Sequence, residues 1–167
     1  MARIAVLDDY QRVALTMADW SRLRASHDIT VFDKPFAGQA AAQQALADFE
    51  ILAIMRERTA FPKAMFAALP KLKLLVTTGH RNAAVDMQAA ADHGVTVCGT
   101  EAPGHATAEL AFGMMIALSR HLVQEHGNMR SGAWQTTVGR DLKGRTLGLL
   151  GLGRLGSQMA KYAHAFG

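Results

Sequence analysis

RTLGLLGLGRLGSQMAKYAHAFG, residues 145–167, reads as a short apolar strand, a glycine-rich turn and a helix in immediate succession. Gly151, Gly153 and Gly156 are spaced G-x-G-x-x-G, and Arg154 and Leu155 complete the turn. In a strand–turn–helix context each glycine has its own task. Gly151 permits the tight turn, Gly153 lets the backbone approach a pyrophosphate, and Gly156 lets the helix pack close to the strand. The N–H groups at the helix start and the positive end of its dipole then face the phosphates, and Arg154 adds charge beside them. The stretch therefore predicts a dinucleotide, NAD or NADP, against the plainer reading of a βα turn with glycines for packing. The acidic residue that holds the ribose is expected about 20 residues further on, which lies past Gly167.

Upstream, two kinds of segment alternate. RIAVLD (3–8), DITVFD (28–33), ILAIM (51–55), LKLLVTT (72–78) and VTVCG (95–99) are apolar runs rich in branched residues, bounded by polar or turn residues. Runs of this kind read as buried parallel strands. Helices are expected between them, at about 11–25, 37–48, 62–69 and 84–92. Pro62 suits a first turn, Gly94 a C-terminal cap, and Asp86 the start of a helix over 86–93. The alternation predicts an α/β fold with helices on both faces of the sheet: a flavodoxin-like, doubly wound parallel sheet over 1–99.

The rest of the chain, 100–167, reads as a crossover and the start of a Rossmann cofactor lobe. GTEAPGHA (99–106) is a loop. A long helix is expected from Thr107 to about Met129, with Leu110, Met114, Met115, Leu118 and Leu122 as an apolar stripe read as core. RSGAWQTTVGRDLKGR (130–145) is a loop before the quoted strand. One strand and one helix cannot bury their apolar faces alone. Leu147, Leu149, Leu150, Leu155, Met159 and Tyr162 are therefore expected to remain partly exposed, and the 107–166 arms to pack on each other in a homodimer or larger assembly, or else to form a disordered tail.

Composition narrows the class. Half of the 167 residues are hydrophobic and 19% are charged, as in a globular protein. The net charge is +4, but the basic residues are scattered, so no nucleic-acid face is expected. Cys98 is the single cysteine, which excludes an internal disulfide and a cysteine-based metal site and fits a reducing cytoplasm. It is read as a small hydrophobe in its apolar run. No metal site and no membrane span are expected, and the N-terminus carries no signal-peptide pattern.

Four stretches resemble the D-isomer-specific 2-hydroxyacid dehydrogenases, a family that includes phosphoglycerate, glycerate, D-lactate and formate dehydrogenases. They are ILAIMRERT (51–59), LPKLKLLVTTGHRNAAVDMQAAADHGVTVC (69–98), ATAELAFGMMIALSRH (106–121) and DLKGRTLGLLGLGRLGSQMAKYAHAFG (141–167). The resemblance implies a substrate-side lobe, with the helix at Thr107 crossing into a cofactor lobe, and a chain that is the N-terminal portion of such an enzyme. It implies hydride transfer between NAD or NADP and C2 of a small anionic 2-hydroxy or 2-keto acid. The family's catalytic His, Glu and Arg follow the glycine turn, so no catalytic residue is placed here. None of His27, His80, His93, His105, His121, His126 and His164 matches the catalytic one in position.

For substrate binding, the resemblance points to the turn Thr78, Gly79 and His80, whose backbone amides would receive the carboxylate. It points also to Arg56, with Arg58 a weaker candidate read as a solvated loop charge. Thr107 would approach the nicotinamide while also serving as a helix N-cap. The competing reading is a non-catalytic ligand-binding or interaction module descended from the family.

Overall fold

The structure, a computed structural model, describes residues 1–101 and 104–167, so part of the 99–106 loop lies outside the described residues. The chain divides into two compact units, Met1–Ala102 and Pro103–Gly167.

The first unit is built on five parallel strands: β1 (Arg3–Val6), β2 (Asp28–Val31), β3 (Ile51–Ile54), β4 (Leu74–Thr77) and β5 (Thr96–Gly99). Their order is β2-β1-β3-β4-β5, the doubly wound order in which the chain reverses direction across the sheet at β1. Register is continuous: Ala5 sits beside Leu52, Leu52 beside Leu75, and Leu75 beside Val97. The five apolar runs thus become the five strands. With a side-chain period of two, Ala5, Leu52, Ile54 and Leu75 point into one core with Leu46, Phe61, Met65 and Phe66. The helices that supply this core are α2 (Gln39–Leu46), α3 (Lys63–Ala68) and α4 (Met87–Asp92). Asp86 caps α4 as expected, its carboxylate accepting from the Ala89 N–H at 2.9 Å. Gly94 follows with φ +70°, the left-handed value that ends a helix.

The opposite face is less covered than strands buried on both sides would be. Ile4 and Val6 are buried there, but Ile51, Ala53, Leu74 and Val76 are only half-buried. The helix expected over 11–25 reduces to α1 (Ser21–Arg24). Its first half is captured by a side chain: the Asp9 carboxylate accepts from the N–H groups of Val13 at 3.0 Å and Ala14 at 2.9 Å. Arg12 is meanwhile left-handed at φ +57°. Local carboxylate bonding of this kind competes with helix formation. Cys98 lies on the edge strand β5 and is exposed rather than packed.

The second unit holds α5 (His105–Ser119), α6 (Leu122–Arg130) and α7 (Arg154–Ala165). The single long helix expected from Thr107 is broken at His121, which is left-handed at φ +52°. Histidine is among the side chains that tolerate this conformation. The helix starts two residues earlier than expected, so Thr107 is its third residue and Gly104 is the N-cap.

The core face of α5 also differs from the expected stripe. Ala108 and Phe112 are buried against Met159 of α7, and Phe112 stacks edge-on to Tyr162 at 5.7 Å and Phe166 at 4.7 Å. Leu110, Met114, Leu118 and Leu122 are exposed, each by more than half its surface, so of the stripe only Met115 packs inward. Large aromatic rings bury more area than the aliphatic stripe and take the inner position. Met159 is buried, whereas Leu149, Leu150 and Leu155 remain exposed. Residues 146–150 carry no strand ladder, because no neighbouring strand pairs with them. No helix among the described residues is long and apolar enough to cross a membrane.

Candidate functional site

In the first unit, the adjacent strands β3 and β4 deliver two loops to the same end of the sheet, at the strands' C-termini. Arg56 follows β3 in a left-handed conformation, φ +52°. Its N–H donates to the Thr78 hydroxyl at 3.1 Å, and that hydroxyl donates to Met55 Sδ at 3.3 Å. Asn82 ties the loops together. Its amide nitrogen donates to the Arg56 carbonyl at 2.6 Å and to the Thr77 hydroxyl at 2.9 Å, while its oxygen accepts from the Ala84 N–H at 2.9 Å. An arginine held at positive φ costs about 1–2 kcal/mol of backbone strain, so it persists only because its surroundings over-determine it.

That dependence makes Asn82→Ala informative. The variant removes all three bonds and leaves the buried Thr77 hydroxyl with one partner fewer. Thermal or urea denaturation is expected to register a loss of about 2 kcal/mol, since the two part-buried bonds contribute on the order of 1 kcal/mol each and the exposed bond to Arg56 adds less. A loss under about 0.5 kcal/mol, the range of surface substitutions, would show that Arg56 is held by other means.

Gly79 has φ +93°, and a Cβ there would lie 2.1 Å from Arg56 Nη1, so the guanidinium rests against bare backbone. A Cβ on Gly99 would meet the Gly79 carbonyl at 2.7 Å, which keeps β5 close to the turn. The amides are the decisive detail. Thr78 N–H already donates to the Ile54 carbonyl at 3.1 Å, and Gly79 N–H to the Thr100 hydroxyl at 2.9 Å. Neither is open to a ligand. The amides of His80 and Arg81 have no acceptor among the described residues. Of the expected turn Thr78, Gly79 and His80, the first two amides are thus already engaged, and the open ones are those of His80 and of Arg81 beside it, with Gly79 making the turn. Residue types could not locate the open amides, because the competing acceptors come from β3 and from Thr100.

Arg58 has a further role. It is an exposed loop charge, as expected, but it is also anchored: its guanidinium donates to the Asp8 carbonyl at 2.7 Å and lies 4.7 Å over the Tyr10 ring. Asp8 is buried at φ +61°, its carboxylate accepting from the hydroxyls of Thr59 at 2.8 Å and Tyr10 at 3.1 Å. Desolvation, together with the bond to Asp8 and its charge, raises the Tyr10 phenol above its ordinary value. These contacts latch the loop after β3 to the end of β1.

In the second unit the glycine turn has the shape its sequence requires. Gly151 takes φ +91°, and a Cβ on Gly156 would lie 2.2 Å from the Gly151 carbonyl oxygen. Gly153 is the N-cap of α7, without a side-chain cap and with nothing within 4 Å of a built Cβ. The first N–H groups of a helix have no intrahelical acceptor, so Leu155 and Gly156 present theirs at an end without a side-chain cap. Backbone that is open at Gly153 and tight at Gly156 fits a pyrophosphate. Thr107 is exposed in the first turn of α5, and the Arg154 side chain lies against Gly104. Among the described residues there is no cluster of three potential metal ligands.

A doubly wound parallel sheet followed by a glycine turn on an uncapped helix defines the class of α/β dinucleotide-cofactor proteins. Comparison with known proteins is more specific. Residues 112–167 match the family model described as D-isomer specific 2-hydroxyacid dehydrogenase, NAD binding domain. The chain is 37% identical over 133 residues to D-3-phosphoglycerate dehydrogenase of Bacillus subtilis, covering 77% of this chain and 25% of that protein. It is 37% identical over 128 residues to 4-methyl-2-oxopentanoate reductase A of Aspergillus oryzae, covering 71% of this chain and 39% of the relative. The crystal structure of a phosphoglycerate oxidoreductase from Vibrio cholerae superposes on the whole chain with TM-score 0.92 and 37% identity, covering 54% of that structure.

The chain belongs to the D-isomer-specific 2-hydroxyacid dehydrogenase family. It spans about half the length of the solved relative and less of the curated ones. The cofactor of the family's glycine turn is NAD(P).

Proposed function

We propose that this chain contributes the substrate-anion turn and the first pyrophosphate turn of an NAD(P)-dependent oxidoreductase acting on the CH–OH group of a small 2-hydroxy or 2-keto acid. The observation that carries the reading is the contact of 2.2 Å between the Gly151 carbonyl and any Cβ at Gly156, in a turn whose N-cap glycine is open. Bound NAD(P) supplies or accepts the hydride at C2. The chain's own residues bind and orient. The amides of His80 and Arg81 receive the acid's carboxylate, and Arg56 sets a guanidinium at the same strand ends, where it suits an anion. Thr107, Gly151, Gly153, Arg154, Leu155 and Gly156 form the cofactor side. The similarity to a phosphoglycerate dehydrogenase and to an oxopentanoate reductase supports an acid substrate of this class.

Titration of the chain with NADH, followed by backbone amide shifts, tests the reading. The expected result is weak binding localised to 151–157. Shifts elsewhere with an unperturbed glycine turn would overturn it and favour a module that has kept the fold without the cofactor.

We propose further that the protein works in the cytoplasm as a homodimer joined through the 107–166 arm. Support comes from α5 and α6, where Leu110, Met114, Leu118, Leu122 and Val123 form an exposed apolar face; contiguous apolar patches of this kind mark association surfaces. Met114→Lys combined with Leu118→Glu is expected to shift the sedimentation coefficient from dimer to monomer. A wild-type chain that sediments as a monomer at high micromolar concentration would refute the proposal.

A further inference from the structure

A concavity of about 450 Å³ opens at the ends of β4 and β5, and its walls include Thr77, His80, Arg81, Asn82, Val85 and Gly99. No aspartate or glutamate lines it. Of the acids near it in sequence, Asp86 caps α4, and Glu101, two residues past Gly99, is exposed and does not line the cavity; Glu57 pairs with Arg56 at 3.7 Å. Arg81 is exposed and makes no ion pair among the described residues, and His80 beside it is exposed as well.

The two open amides of the turn match the two oxygens of one carboxylate. Once that carboxylate is seated, the Arg81 guanidinium still offers a planar fork of N–H donors at the rim, with the His80 ring as a further donor. A guanidinium with that geometry is suited to a second carboxylate or a phosphate, held through paired charge-assisted bonds. A neutral or methyl substituent at C3 of the substrate would leave those donors to water and gain nothing from them.

We infer that the site selects a 2-hydroxy or 2-keto acid carrying a second anionic group, and that Arg81, assisted by His80, is the specificity determinant for that group. The inference rests on the reading of the turn as the carboxylate site.

The test is an amide-shift titration of the full 167-residue chain with matched pairs of acids: D-lactate against D-malate, and D-glycerate against D-3-phosphoglycerate, with sulfate at equal ionic strength as the baseline. All four acids are expected to move the His80 and Arg81 amides. At least one dianion is expected to bind about ten-fold tighter than its partner, and whether malate or phosphoglycerate gains more identifies the second group as carboxylate or phosphate. Arg81→Gln is expected to abolish that excess and Arg81→Lys to keep part of it, with thermal melting unchanged in both because the side chain is exposed. Equal affinities within each pair, or an excess that survives Arg81→Gln, would overturn the inference while leaving the carboxylate site standing. If no acid moves these amides beyond the sulfate baseline, the reading of the turn falls and the inference with it.

Discussion

Gly156→Ala is expected to abolish localised NADH binding and to unfold the start of α7, whereas Gly153→Ala abolishes binding and leaves the helix in place. The two glycines sit three residues apart in one turn, yet they face opposite constraints. At Gly156 an added methyl would stand 2.2 Å from the Gly151 carbonyl oxygen, which is backbone and cannot swing aside. Either the turn opens or α7 slides, and with it goes the packing of Met159 and Tyr162 on Phe112. Overpacking typically costs about 1–3 kcal/mol, and a clash with main chain belongs at or beyond the upper end. At Gly153 the same methyl meets nothing within 4 Å. It occupies the space through which a pyrophosphate would reach the N–H groups at the helix start. Amide hydrogen exchange over 154–165, measured beside the NADH titration, separates the two. Protection in Gly156→Ala equal to wild type would show that the turn accommodates the methyl and that the close contact is not structural.

The chain by itself is expected to show no dehydrogenase turnover with D-lactate, D-glycerate, D-3-phosphoglycerate or formate. Positioned general acid–base catalysis contributes about 10²–10⁴-fold to rate, and the family resemblance implies that none of the histidines here is the acid–base residue. The family resemblance places that histidine, the glutamate that orients it and the arginine that binds the carbonyl after the glycine turn. On the proposed reading, what the chain supplies is binding: an anion turn in one unit and a pyrophosphate turn in the other. Holding reactants without a group that moves the proton would leave the chemical step near its uncatalysed rate. A steady rate of NADH formation from a contaminant-free sample, abolished by Gly153→Ala, would refute this and would require one of the seven histidines to be catalytic.

The sequence by itself determined the five strands, because their apolar runs are short, branched and bounded by turn residues. It also determined the parallel α/β class, the Asp86 cap, the Gly94 helix end and the glycine turn. Each of these is set within a few residues: a buried strand needs an apolar run, a cap needs a short carboxylate, and a left-handed corner needs a glycine. Tertiary structure alone decided the rest. Asp9 dismantles the helix expected over 11–25 because its carboxylate, fixed by the end of β1, outcompetes the helical carbonyls for two N–H groups. Phe112 turns α5 so that the stripe Leu110–Met114–Leu118 faces outward, since α7 supplies aromatic partners on the other side. The open amides lie at His80 and Arg81, rather than at Thr78 and Gly79, because acceptors from Ile54 and Thr100 have already taken the latter two. Arg58 is bound to Asp8, 50 residues away in sequence. Local patterns fix which elements form; which donor meets which acceptor depends on residues that only the folded sheet brings together.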